Sequence, residues 1–104
     1  MYYDVSMYTV QMTPEFEAWL CAIKDRQTSI RLKKRLDKAA RGLLGDVKTV
    51  SENVFEMREF FGPGWRMYYT IRAGVLMVML GGGDKSTQQE DIAAAIEWAQ
   101  TLEE

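Results

Sequence analysis

The chain has 104 residues, 47% of them hydrophobic and 27% charged, with three Trp, five Tyr and four Phe; that is enough apolar bulk for a single domain over 1–104 and too much for a disordered chain. It has no histidine and one cysteine, which excludes nearly every zinc pattern, a His-based triad and an internal disulfide, so no metal or other cofactor is expected. The net charge of −2 is unevenly spread: nine basic and three acidic residues lie between Lys24 and Lys48, net +6, against one basic and six acidic from Asp84 to Glu104, net −5, which reads either as a basic face for an anionic partner or as a solvated helix face.

Tyr3 to Met12 is rich in β-formers, with Tyr8, Val10 and Met12 at alternate positions, and reads as a first strand. Thr13-Pro14-Glu15 is a helix start: a hydroxyl N-cap, proline at the first helical position and an acid in the first turn. Phe16, Trp19, Leu20 and Ile23 follow at helical spacing, and Cys21 among them reads as a buried thiol. After a break near Asp25 a second helix is expected over about 27–41. Its apolar stripe is Leu32, Leu36, Ala39 and Leu43; its other faces carry Arg31, Lys34, Arg35, Lys38 and Arg41; Gly42 is its stop.

Asp46 to Val50 and Val54 to Phe60 are strand candidates. Gly62-Pro63-Gly64 must turn, Trp65 to Arg72 returns as the partner strand, and Ala73-Gly74 makes a second tight turn. Val75 to Leu80, apolar on both faces, reads as a central strand covered on each side. Gly81-Gly82-Gly83-Asp84 reads as the end of the sheet; it lacks the spacing of a phosphate-binding P-loop. Ser86-x-x-Gln89 and Thr87-x-x-Glu90 both fit a capping box that opens a last helix, with Ile92, Ala95, Ile96, Ala99 and Leu102 as its buried stripe. Trp19 and Trp98 read most simply as core, Trp98 alternatively as part of an exposed partner patch. The expected fold is α+β in the order β-α-α-β-β-β-β-α: a twisted, mostly antiparallel sheet with two N-terminal helices and one C-terminal helix packed on it.

No apolar run is long enough to span a bilayer, and Met1-Tyr2-Tyr3-Asp4-Val5 lacks the basic start and apolar stretch of a signal peptide. A cytoplasmic location with no membrane partner is expected.

The hairpin about Gly62-Pro63-Gly64 fixes which side chains share a face. Directly opposed residues of an antiparallel pair lie on one side. With 60 opposite 64, or 61 opposite 65, Glu56, Arg58, Arg66 and Tyr68 point one way and Phe55, Met57, Trp65, Met67 and Tyr69 the other. The apolar set is expected to pack on helices and the polar set to lie open. That open set offers two guanidiniums, a carboxylate and a phenol, and guanidinium forks suit phosphate oxygens. Lys85 is placed to project over the same face, beside a helix N-terminus that favours anions. Plainer readings stand beside these: an Arg58–Glu56 surface ion pair, a structural Arg66, a solvated Lys85 in a turn, and a Tyr68 that only packs.

Three segments carry a resemblance. Phe55-Glu56-Met57-Arg58 resembles an E-L-R strand. Gly62-Pro63-Gly64-Trp65-Arg66-Met67-Tyr68-Tyr69 resembles a G-x-G-[YW]-R-hydrophobic-Y-[YF] hairpin. Leu80-Gly81-Gly82-Gly83-Asp84-Lys85-Ser86-x-x-Gln89-x-Asp91-Ile92, its glutamine present as the pair Gln88-Gln89, resembles a G-G-x-K-x-x-Q-x-x-D-I element, and Gly45-Asp46-Val47-Lys48 agrees as well. In this order and spacing they resemble the RelE/ParE/HigB toxins of type II toxin–antitoxin systems, in particular the addiction-module killer proteins, over nearly the whole chain. The resemblance implies a toxin that inhibits translation as a ribosome-associated, metal-independent messenger-RNA endonuclease, an mRNA interferase. The alternative is a ParE-like inhibitor of DNA gyrase without nuclease activity; a relic that only docks its partner is a third reading. The implied partners are a cognate antitoxin, expected to be a helix-turn-helix protein, messenger RNA and the ribosome, with operator DNA bound only indirectly through the antitoxin.

With RNA as the implied substrate, Arg66 is expected to stabilise the scissile phosphate, and Arg58 and Lys85 to clamp phosphate or move protons. Glu56 is the candidate base and Tyr68 a candidate acid or stacking group. Lys48, Arg31, Lys34, Arg35, Lys38 and Arg41 are expected to hold the RNA backbone. The histidine-bearing relatives use imidazole near the C-terminal end, which this chain lacks, so slow intrinsic chemistry aligned by the ribosome is expected. The acidic last helix is expected to face away from RNA or to meet a basic partner.

Overall fold

The computed structural model describes residues 7–102. The elements are β1 (Thr9–Met12), α1 (Pro14–Ala22), α2 (Arg26–Ala40), β2 (Val47–Ser51), β3 (Val54–Arg58), β4 (Trp65–Arg72), β5 (Leu76–Asp84), a single 3-10 turn (Lys85–Thr87) and α3 (Gln88–Leu102). The five strands form one sheet in the order β1-β5-β4-β3-β2; β1 runs parallel to β5 and every other pair is antiparallel. This is the expected α+β architecture. The part of the expected first strand before Met7 lies outside the described residues.

Local chemistry sets each boundary. Thr13 caps α1, its Oγ1 accepting from Phe16 N at 3.1 Å and donating to Met79 O at 2.8 Å, so one hydroxyl starts the helix and ties it to β5. Asp25 caps α2 by accepting from Thr28 Oγ1 at 2.6 Å and Thr28 N at 3.3 Å, which holds its carboxyl below the ordinary carboxylate range. The helix ends in a Schellman motif: Gly42, at φ +87°, donates to Ala39 O and Leu43 donates to Lys38 O. Leu43, expected in the buried stripe, falls beyond this stop and is 60% exposed. Cys21 is likewise exposed, because it follows Leu20 round to the outer side of α1.

The sheet is covered on both faces. Phe16 and Leu20 of α1 and Leu32, Leu36 and Ala39 of α2 pack on Met57, Met67, Tyr69, Met77 and Met79. On the other face Ala95 and Ala99 of α3 pack on Val54, Tyr68, Val78 and Leu80. β5 is therefore buried on both sides, as its unbroken apolar run requires.

Gly81-Gly82-Gly83-Asp84 ends the sheet as expected, but as paired residues of the strand rather than beyond one that stops at Leu80. Gly81 lies opposite Tyr68, Gly82 opposite Met67 and Gly83 opposite Arg66. These positions lack side chains because others occupy the space. A Cβ on Gly81 would lie 2.8 Å from the Trp98 ring, and one on Gly82 would lie 2.5 Å from the Trp19 ring. Both tryptophans thus seat on bare strand backbone, one from each face, and Trp98 packs, partly buried, against the core beneath α3. A register shift between Tyr68 and Tyr69 of β4 leaves Leu80 as the extra residue on β5. The cap of the last helical segment also differs from expectation. Asp84, not Ser86 or Thr87, holds it: its Oδ1 accepts from Ser86 N at 2.8 Å and Ser86 Oγ at 2.5 Å, while Thr87 Oγ1 accepts from Asp84 N at 3.4 Å.

Candidate functional site

The site is built on β3 and β4. Arg58 lies directly opposite Arg66, and Glu56 opposite Tyr68, in the register that also sets 60 against 64. On the far side of β3, Lys48 of β2 stands opposite Glu56. The structure therefore brings Lys48, Glu56, Arg58, Arg66 and Tyr68 to one face, and directly opposed Cα atoms in such a ladder are about 4.5–5.5 Å apart.

That face is not open along its length, as expected from sequence; α3 roofs half of it. Glu56 and Tyr68 are both 0% exposed. Glu56 Oε2 accepts from Gln88 Nε2 at 2.7 Å at the start of α3, while Glu56 Oε1 and the Tyr68 hydroxyl are buried without a hydrogen-bond partner. Burial, and then the negative charge of Glu56, push the Tyr68 phenol well above its ordinary range. The assignments of Glu56 as base and Tyr68 as acid or stacking group are corrected accordingly: neither can touch a substrate beneath the helix. The Arg58–Glu56 ion pair does not form either, because Glu56 is turned toward Gln88.

The two arginines differ in their commitments. Arg58 Nη2 pairs with Asp46 Oδ1 at 3.1 Å, in a bridge whose two side chains are about a third exposed; such a pair is worth ~0–1 kcal/mol. Arg66 is 5% exposed and, among the described residues, has no carboxylate partner. Its Nη1 donates to Glu59 O at 2.9 Å and Trp65 O at 3.1 Å, which fixes the guanidinium from behind, and Nη2 is not spent on any of these groups. A Cβ on Gly64, which sits at φ +82°, would lie 3.5 Å from Arg66 Nη1 and 3.3 Å from Lys85 Cβ. Gly64 thus lies against the Arg66 guanidinium with no side chain of its own over it, and the stem of Lys85, exposed just past the end of β5, lies on the other side of the same glycine.

Other expected positions fare unevenly. Arg31, Lys34, Lys38, Arg41 and Lys48 are exposed. Arg31 lays its guanidinium 3.7 Å from the centre of the Phe61 ring. Arg35, expected among the RNA-holding cations, is instead an internal strut: it donates to Leu44 O, Asp46 O and Arg58 O and pairs with the Glu59 carboxylate. The helix N-terminus near Lys85 is no open anion site, because the Asp84 carboxylate already occupies it; hydrogen bonds from Ser86 hold that carboxyl below its ordinary range. Sequence reasoning passed over Phe60, which is 71% exposed and has the Arg58 and Arg66 guanidiniums each 5.7 Å from its ring centre. A signal existed: 58 and 60 have the same parity on an extended strand.

Burial of the phenols has a consequence for pH. Tyr68, and Tyr69 through its own burial and then the charge of Tyr8, have folded-state pKa values above the unfolded value of about 10. Their contribution to stability is fully present below that value and is lost as pH rises through the folded values. In a phenolate absorbance titration, these two rings are expected to ionise at higher pH than the free phenol. Tyr68→Phe removes a buried hydroxyl that makes no well-formed hydrogen bond and whose near polar neighbour is the Glu56 carboxylate, so stability is expected to stay within ~1 kcal/mol of wild type, with activity retained. A large activity loss in that folded variant would return Tyr68 to the reaction.

The fold is that of the RelE toxin. A free-state structure of the E. coli toxin RelE carrying two arginine-to-alanine substitutions matches with a TM-score of 0.69 at 13% identity, over 88% of this chain and 96% of that one. No family model matches the sequence. An uncharacterised protein of Haemophilus influenzae is 38% identical over 93 residues, 89% of this chain and 94% of that protein; the chain belongs to the same family.

Proposed function

We propose that this protein is the toxin of a type II toxin–antitoxin pair and inhibits translation by cutting messenger RNA. The observation that carries the reading is Arg66: a nearly buried guanidinium fixed by two backbone carbonyls, without a carboxylate among the described residues, opposite Arg58 and beside Lys85 at a bare glycine. The shared fold with a protein called a toxin supports it.

In the reaction the ribose 2′-oxygen attacks the adjacent phosphorus, the bond to the 5′-oxygen breaks, and a cyclic phosphate and a 5′-hydroxyl result. One proton leaves the 2′-hydroxyl and one reaches the departing 5′-oxygen. Negative charge gathers on the phosphoryl oxygens between, where a preorganised cation acts with little reorganisation. Arg66 fills that role, with Arg58 exchanging Asp46 for phosphate and Lys85 completing the clamp. With Glu56 and Tyr68 enclosed, proton transfer falls to the exposed Lys48 and Lys85, one taking the 2′-hydroxyl proton as a neutral amine and the other, as ammonium, delivering a proton to the departing 5′-oxygen. Ammonium groups match neutral pH poorly as proton carriers, so the chemistry is slow on free RNA and relies on the ribosome to align the messenger. Lys34, Lys38 and Arg41 hold the backbone of messenger or ribosomal RNA. A helix-turn-helix antitoxin neutralises the protein, and operator DNA is met only through it. The setting is the cytoplasm.

The test is induction of the protein without its antitoxin, with transcript 5′ ends mapped and gyrase assayed in parallel. New transcript ends appearing with translational arrest and unimpaired gyrase are expected. Intact transcripts with inhibited gyrase would replace this reading by the gyrase-directed one.

A further inference from the structure

We propose that Phe60 is a nucleobase platform: single-stranded RNA lays one base on its ring while the flanking phosphates meet Arg58, Arg66 and Lys85. This rests on the RNA-handling reading above and names how that site grips its substrate.

The loop joining β3 to β4 treats two adjacent phenylalanines in opposite ways. Phe61 is half-buried against the helix-side core, with the Arg31 guanidinium 3.7 Å from its ring centre. Phe60 packs in neither core and is 71% exposed. Its outward position is braced by the backbone. Glu59 N donates to Trp65 O at 2.9 Å, Gly64 N donates to Phe61 O at 3.1 Å, and Gly62 and Gly64 hold φ of +57° and +82°. Arg66 Nη1 fastens the same loop through Glu59 O at 2.9 Å.

The surroundings select the occupant. The Arg58 and Arg66 guanidiniums each lie 5.7 Å from the Phe60 ring centre, and Lys85 adjoins Arg66 across Gly64. An apolar protein segment would gain the ring but would have to desolvate this cationic rim. A nucleotide satisfies both parts, since every base has a π-face and every linkage a negative charge. The ring stands beside the phosphate clamp, so the stacked base belongs to a nucleotide next to the scissile one.

The test measures binding of a fluorescein-labelled single-stranded oligoribonucleotide to the full chain by anisotropy at low salt, for wild type, Phe60→Ala, Phe60→Leu and Phe60→Trp. The alanine and leucine variants are expected to bind roughly five- to hundredfold more weakly, the range for loss of one stacked base, and tryptophan to bind at least as well as wild type. Moving a single abasic nucleotide along the strand should find one position where loss of the base weakens wild type but not Phe60→Ala. Leucine equal to wild type, or no abasic position coupled to Phe60, would overturn the proposal. So would loss of antitoxin binding with RNA affinity intact, which would make the ring a protein-docking residue. Arg66→Gln separates the two levels: weakening by this variant without any effect at Phe60 removes the platform alone, whereas no effect of either, with transcripts intact in cells, removes the RNA reading itself. Repeating the titration on ribosomes with intact and abasic messengers tells a messenger base from a ribosomal one.

Discussion

Arg66→Gln is expected to abolish growth arrest when the protein is expressed without its antitoxin, while the purified variant stays folded. Glutamine keeps a polar, uncharged side chain but not the Nη1 bonds to Glu59 O and Trp65 O, while the Glu59 N to Trp65 O and Gly64 N to Phe61 O bonds still hold the loop. It also loses the charge. Removal of a fixed donor from the site of developing negative charge lowers turnover by about 10²–10³-fold, or roughly 3–4 kcal/mol. Because the interaction strengthens as charge develops, kcat should fall more than KM rises. The loss of one phosphate contact should also make the salt dependence of single-stranded RNA binding shallower by about 0.7 in its logarithmic slope. Arg58→Ala serves as a contrast. Arg58 already has Asp46 as a counter-charge at 3.1 Å, so its removal forfeits a partly neutralised cation and should have a smaller effect. Full toxicity of a folded Arg66→Gln protein would strip Arg66 of its part in the chemistry.

The fold was legible where local chemistry and periodicity agree. The Thr13-Pro14-Glu15 start, the Gly42 stop, the apolar run of β5 and the two turns all appear as read. The parity argument at the Gly62-Pro63-Gly64 hairpin also placed Glu56, Arg58, Arg66 and Tyr68 on one face. Three features escaped because they depend on contacts between distant segments. A glycine triplet reads correctly as a strand end from its own residues; that it stays paired in the ladder, bare because Trp19 and Trp98 fill the space, is decided far away in sequence. An alternating strand face shows that residues share a side but not what covers that side, so the enclosure of Glu56 and Tyr68 beneath α3 had no local signature. A lysine- and arginine-rich helix likewise looks uniform until its partners are known. Arg35 alone turns inward, toward carbonyls 9 to 23 residues away in sequence.

Arg35 supports the second prediction. Its Nε and Nη2 donate to Leu44 O at 3.1 and 2.8 Å, Nη2 also to Asp46 O at 2.8 Å, and Nη1 to Arg58 O at 3.0 Å. The same guanidinium pairs with the Glu59 carboxylate, and the two side chains are 11% and 20% exposed. Gly45, at φ +69°, makes room: a Cβ there would lie 3.1 Å from the guanidinium. Arg35→Ala leaves a largely buried carboxylate and three carbonyls without their donor, so a loss of about 3–5 kcal/mol is expected. In a domain of this size that lowers the melting temperature by roughly 12–30 °C, a large share of an ordinary stability of ~5–15 kcal/mol. High salt should not reproduce the effect, because little of the pair is open to screening. The double variant with Glu59→Gln should be less unstable than the sum of the single changes, since the stranded carboxylate is then gone; the part that remains belongs to the carbonyls. Activity should fall further than the folded fraction does, because Glu59 supplies the carbonyl that fixes Arg66, and a loosened Glu59 releases that guanidinium. Thermal or urea unfolding that showed a loss below ~1 kcal/mol would reduce Arg35 to an ordinary surface cation and sever this link between the helix and the phosphate clamp.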